Sequence, residues 1–218
     1  MKNKTTLRSH ILCAVATLAI GVATGQAGNL LLNPSIENGT SSTQIDNWTR
    51  HFDDTFREDT NSFGFTGAAM HDGFYAVKEF GGEGDLAQAN IAVLPNTLYD
   101  VSGWFYHSST EDVIDTNSLS TRMFMHVEWF NSSNSSLGND YTANHNGTSP
   151  ADSWNQIIAQ FLSPAGSDHA AFHVESDHDV GGGSVFGDDF TFIPETSAFG
   201  LLLGGGVLLT RMTRRTQP

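Results

Sequence analysis

Arg122-Met123-Phe124-Met125-His126-Val127-Glu128-Trp129-Phe130-Asn131 is the run on which the fold turns. Side chains two apart on an extended chain share a side. Met123, Met125, Val127 and Trp129 therefore form one row, apolar throughout, while Phe124, His126, Glu128 and Phe130 form the other, mixed in character. Helical spacing would scatter both rows around the axis, so the run reads as a strand with one face for a core and one half exposed.

Working outward, the same pattern recurs at residues 97–107, 154–162, 169–175 and 185–193, with earlier strands expected at 29–36, 48–57 and 74–80. Between 28 and 193 no long segment places apolar residues at helical spacing. Turn chemistry separates the runs: a Ser/Asn-rich stretch at 131–139, Pro150 within 147–152, Pro164 and Gly166 within 164–168, and glycines at 181–183. Short alternating strands between turn clusters predict a single all-β domain, a sandwich of two sheets. Tyr99, Val101, Phe105, Ile157, Ala159, Phe161, Ala170, Phe172 and Val174 are its expected core.

The opposite rows share a chemistry. Trp104, Tyr106, Phe124, His126, Glu128, Gln156, Gln160, His173 and Glu175 combine flat aromatic faces with hydrogen-bonding groups. A sugar needs both, because its C–H face stacks on a ring while its hydroxyls seek donors and acceptors. These residues are expected on one common outer face that binds a polysaccharide.

Charge excludes another class. The 218 residues carry 24 acids against 10 Lys and Arg. Residues 28–193 hold 23 of the acids but only Arg50, Arg57, Lys78 and Arg122, a net charge of −19. Duplex binding draws on lysines and arginines that displace counterions, so a body this acidic is not a nucleic-acid binder.

The ends read as addresses. Residues 1–27 have a basic start, an apolar stretch at 11–23 and small residues at Gly25 and Ala27, as in a secretory signal cleaved after Ala27. Cys13, the one cysteine, lies inside it, so disulfides and thiol chemistry are not expected in the processed chain. At the other end, Pro194-Glu195-Thr196 precedes an apolar run at 198–209 and then Arg211, Arg214 and Arg215. Twelve helical residues reach about 18 Å, short of the ~30 Å hydrocarbon core, so transient rather than permanent inner-membrane insertion is expected. Residues 194–218 resemble the PEP-CTERM sorting signal of Gram-negative bacteria, with Thr196 where a second proline is usual. That resemblance implies recognition by an exosortase, removal of the tail, and delivery to the cell surface or an exopolysaccharide matrix.

The body carries a second resemblance. Asn29-Leu30-Leu31-Leu32-Asn33-Pro34-Ser35-Ile36-Glu37-Asn38-Gly39 followed by Asp46-Asn47-Trp48, then residues 73–77 and 98–104, Trp154 with 161–166, and Phe186-Gly187-Asp188-Asp189-Phe190 are similar in order and spacing to carbohydrate-binding-module-like jelly rolls of the galactose-binding-domain-like fold. The resemblance implies a jelly-roll β-sandwich over 28–193, non-catalytic glycan binding, and a structural calcium ion held by Glu37 with Asp188 or Asp189. Hard oxygen ligands suit calcium.

Two further sites were weighed. His169 and His173, with Asp168 and His178 nearby, have a zinc-like composition, yet residues four apart on a strand stand about 13 Å apart and do not converge. Glu128 and Glu175 would be the acid pair of a glycosidase if they faced each other across a sheet. A structural matrix protein with no ligand is the remaining alternative.

Overall fold

A computed structural model of the chain describes residues 27–65, 69–80, 82–114, 121–178 and 182–195, and among these there is no helix. Thr196, Arg211, Arg214 and Arg215, like the expected secretory signal up to residue 26, lie outside the described residues.

Two antiparallel sheets make the sandwich. The front sheet runs β10 (His145–Asn146), β8 (Thr121–Phe130), β12 (His169–His178), β6 (Gly84–Ala92), β3 (Thr49–Arg50), and β9 (Ser136–Tyr141) also pairs with β8. The back sheet runs β11 (Asn155–Leu162), β7 (Leu98–Tyr106), β13 (Ser184–Pro194), β5 (Ala76–Phe80), β4 (Thr55–Glu58). A small hairpin, β1 (Gly39–Ser41) with β2 (Gln44–Ile45), stands apart. The expected jelly-roll β-sandwich is the fold.

Alternation built the core as expected. Met123, Met125, Val127 and Trp129 from β8, Phe172 and Val174 from β12, and Tyr99, Val101 and Phe105 from β7 are all buried in one apolar cluster between the sheets. Phe190 lies at its centre, its ring 6.0 Å from Trp48, 6.1 Å from Phe105 and 6.3 Å from Phe172. Room for it comes from missing side chains: a Cβ at Gly103 would meet Phe190 at 2.7 Å, and one at Gly187 would meet it at 2.9 Å.

A bulge puts Phe190 there. Against β7, Asp188 pairs with Trp104 and Thr191 with Ser102, so β13 carries one extra residue, and Asp189 takes φ 49°. The insertion shifts the alternation by one, leaving Asp188 on the outer side and turning Phe190 inward.

Four elements differ from the sequence expectation. Residues 48–57 are not one strand: β3 joins the front sheet and β4 the back sheet, with residues 51–54 passing between them. Residues 29–36 are not a strand; Asn33 and Ile36 take φ 51° and 60° around Pro34. The Asn33 amide donates to Asn38 O and Asp46 O, and the Trp48 indole donates to Asn33 O, so the opening motif is a hydrogen-bonded knot. Strand β6 was not expected: Gly-Asp-Leu-Ala-Gln-Ala-Asn-Ile-Ala is poor in β-formers, but pairing with β12 and β3 on its two sides overrides propensity. The Ser, Gly and Asn content of most of β9 predicts a loop, yet it pairs along β8 from His126 to Phe130.

One buried acid sets an alkaline limit. Glu79 of β5 is fully buried, accepts from the Thr55 hydroxyl at 3.4 Å, and leaves Oε2 without a partner. Burial pushes its carboxyl up to about 8, with the charge of Asp85 adding. The folded state then holds a proton that the unfolded state releases above about 4.5, so stability from this group is lost progressively between 4.5 and about 8. Glu79→Gln keeps the neutral shape. Its melting temperature is expected to exceed that of the parent at pH 8 and to converge with it towards pH 4.5; identical pH profiles of the two would contradict this.

Candidate functional site

The expected common face is divided in two. Trp104 and Tyr106 of β7 and Gln156 and Gln160 of β11 belong to the back sheet, whereas Phe124, His126 and Glu128 of β8 and His173 of β12 belong to the front sheet. Outer faces of a sandwich point in opposite directions. Alternation assigns each residue a side of its own strand, but not the sheet which that strand joins.

The end of the back face that carries Tyr106 is covered, while the outer row of β11, Gln156, Ile158, Gln160 and Leu162, is exposed. Phe65 and Met70, from the segment ahead of β5, pack with Tyr106 and Phe186, and Tyr106 is fully buried, so it offers no ring to a sugar. The His71 ring lies flat on Trp104, 4.0 Å between centroids and 18° between planes. Gln156 is exposed beside Trp104, and Gln160 donates to Asp100 Oδ1 at 2.9 Å and Glu195 Oε1 at 2.6 Å. Pro194 closes β13, and Glu195 N donates to Leu98 O, so both residues are held at the sheet.

The front face is built in rows. Register places Tyr141, His126, His173, Ala87 and Thr49 on successive strands from β9 to β3, with Phe124, Glu175 and Asp85 forming the next row. His126 and His173 stack at 4.2 Å and 11°. Phe124 and His126, expected to be half exposed, are buried at 7% and 8% because Tyr141, itself 56% exposed, lies over them, 5.1 Å from the His126 ring and 6.0 Å from Phe124. His126 Nδ1 lies 2.9 Å from Glu175 Oε2 without hydrogen-bond geometry. Asp85 takes His173 Nδ1 at 3.0 Å and His51 Nδ1 at 2.5 Å. Burial works to raise the Asp85 carboxyl, but the hydrogen bonds and charge of His173 and His51 outweigh it and hold it below the ordinary range. Sequence reasoning does not single out Tyr141 or His51: Tyr141 lies between the expected loops at 131–139 and 147–152 with no strand assigned to it, and His51 lies within the expected strand 48–57, which breaks after Arg50.

Register also separates the two glutamates. Glu175 pairs with Phe124, and Glu128 with Ala171, four residues along β12. That offset is about 13 Å along the strand, beyond the roughly 5–9.5 Å that glycosidase acid pairs span. Glu128 and Glu175 do not face each other, and the glycosidase reading loses its acid pair. His169 and His173 likewise do not converge, as their spacing predicted: His169 stacks on Phe130 and contacts Asp168.

The acids expected to hold calcium gather around one loop. Glu37 Oε1 accepts from Phe74 N and Tyr75 N at 2.8 and 2.9 Å, and Asp188 Oδ2 accepts from Asp72 N at 3.0 Å. Gly73 is required there, since it has φ 61° and a Cβ would meet the Glu37 carboxyl at 2.4 Å. Asp188 is fully buried, and burial pushes its carboxyl up to about 8, with the charges of Asp189 and Glu37 adding. Asp189 turns away to His71 Nδ1, 2.5 Å distant. Glu37 and Asp188 thus offer carboxyl oxygens to the same loop, the donor type that a hard cation takes.

No family model matches the sequence, and no curated protein does. Solved structures share the fold: a family 16 carbohydrate-binding module (TM-score 0.52, 18% identity, 76% of this chain and 99% of that one), the CBM22-1 xylan-binding domain of Paenibacillus barcinonensis Xyn10C (0.50, 17%, 79% and 98%), and a cyclase from Fischerella sp. TAU (0.55, 14%, 78% and 98%). At these identities the likeness is one of fold.

Proposed function

We propose that this chain is a non-catalytic glycan-binding jelly roll that takes polysaccharide on its front face. The carrying observation is the exposed Tyr141 ring beside Phe124 and His126, with Glu128, Glu175 and His173 on the same side of the sheet. Tyr141 supplies a stacking platform, and the Glu128 and Glu175 carboxylates orient hydroxyls, whereas His173 has its ring nitrogens bonded to Asp85 or sealed and packs the face instead. The fold shared with carbohydrate-binding modules, one of them named for xylan, supports the reading.

Calcium belongs to the proposal as a structural ion. Glu37 and Asp188 would hold it, tying the opening motif to the last strand and the loop between them. The tripartite ending supports export and sorting: Pro194-Glu195-Thr196, the apolar run and Arg211, Arg214 and Arg215 would address the chain through transient inner-membrane insertion to an exosortase and on to the cell surface or exopolysaccharide matrix.

Affinity electrophoresis of the full chain against a polysaccharide panel tests the glycan reading. Retardation by at least one polymer is expected, and Tyr141→Ala is expected to weaken it about tenfold or more, the cost of losing a central aromatic contact. Trp104→Ala, on the back face, should leave affinity unchanged. No retardation by any polymer would favour a purely structural matrix protein, and loss through Trp104 alone would move the site to the back face.

A further inference from the structure

We propose that His51, Asp85 and His173 bind a borderline divalent transition-metal ion of the zinc type, at a site separate from the Glu37–Asp188 oxygens. The three residues come from adjacent parts of one sheet: Asp85 from β6, His173 from β12, and His51 from the residue following β3, where His51 N donates to Asp85 O at 3.0 Å. Their donor atoms all lie within 4.8 Å of one another, and among the described residues this is the one group of three or more His, Cys, Asp or Glu that meets that condition.

Geometry and chemistry agree on the ion. Both imidazoles aim Nδ1 at the same carboxylate, 2.5 and 3.0 Å away. In a tetrahedral zinc site with bonds of about 2.0–2.1 Å, donors stand roughly 3.4 Å apart, so seating the ion needs each imidazole to part from the carboxylate by less than about 1 Å and the widest donor pair to close by no more than about 1.4 Å. Two neutral nitrogens and one carboxylate favour zinc, copper or nickel over calcium and magnesium. Asp85 and His173 are fixed by burial, with side chains 10% and 12% exposed, whereas the His51 side chain is 45% exposed and leaves an entry path and an open coordination position.

The surroundings tune the site. His173 is held flat against His126, whose Nδ1 lies 2.9 Å from Glu175 Oε2. His173 Nε2 is sealed and has no partner. It therefore lacks the outer hydrogen bond that normally fixes a ligating imidazole, a deficit of about 10–100-fold in affinity against a fully braced site. The proposal holds whether or not the face also takes sugar.

Titration of the full chain with zinc chloride in millimolar calcium tests it. One zinc per chain is expected, with a raised melting temperature, and cobalt in its place should give the visible absorption of a tetrahedral nitrogen–oxygen site. His51→Ala, a change at an exposed position, should lower zinc affinity about tenfold or more, as should Asp85→Asn, while His169→Ala should not. Absence of binding, displacement by calcium, or affinity unchanged in His51→Ala would overturn the proposal and leave a hydrogen-bonded His–Asp–His trio.

Discussion

Phe190→Ala is expected to destabilise the domain by about 3–5 kcal/mol, at the upper end of that range. The ring is fully buried and touches aromatic neighbours from both sheets and the opening knot, namely Phe105, Phe172 and Trp48. Loss of transfer energy is one part of the cost, and the cavity left behind is the other. Cavities cost less where neighbours can move in, but two of the strand positions against this ring are Gly103 and Gly187, which have no side chain to offer. Urea denaturation with an unchanged m-value and a displaced midpoint would measure the effect. A loss below about 1 kcal/mol would mean that the bulge at Asp189 does not direct Phe190 into the core.

The second large effect concerns Asp188. With calcium at about a thousand times its dissociation constant, stabilisation of about 4 kcal/mol is expected, removable by chelator. Asp188→Asn should abolish that calcium dependence. In chelator the variant should be no less stable than the parent, because the amide replaces a carboxyl that burial already keeps protonated up to about 8. The sign of the pH dependence follows: calcium must displace that proton, so affinity should rise about tenfold per pH unit below 8 and level off above it. A melting temperature indifferent to chelator, or calcium dependence retained in Asp188→Asn, would remove the ion from the account.

The strand pattern was legible because a half-buried strand writes its two faces into alternate residues. Residues 122–131 and 169–175 show this, and so does the inward row of Tyr99, Val101 and Phe105. Where alternation is blunted, reading fails. Strand β6 carries Ala, Gln and Asn between two partners, and β9 is rich in Ser, Gly and Asn, so their extension comes from neighbouring strands rather than from their own residues.

For the site, the sequence supplied the right kinds of residue and the wrong grouping. Trp104 and His126 each stand opposite a core row, as expected, yet on opposite sides of the molecule. His173 was weighed with His169 as a zinc pair because the two are close along the chain. Its partners are instead Asp85, 88 positions away, and His51, a further 34 before that. The carboxyls of Glu37 and Asp188 meet a common loop only because that loop, residues 71–75, lies between the opening knot and the bulged last strand.

By itself, the sequence determined an all-β body, its core rows and its acidity, all of them properties of residues and their near neighbours. The tertiary structure decided which strands share a sheet, which aromatic rings are covered, and which imidazoles reach a common carboxylate. Side-chain alternation is fixed by the local backbone, whereas sheet membership is fixed by hydrogen bonds to strands far away in the chain, and no local spacing records them.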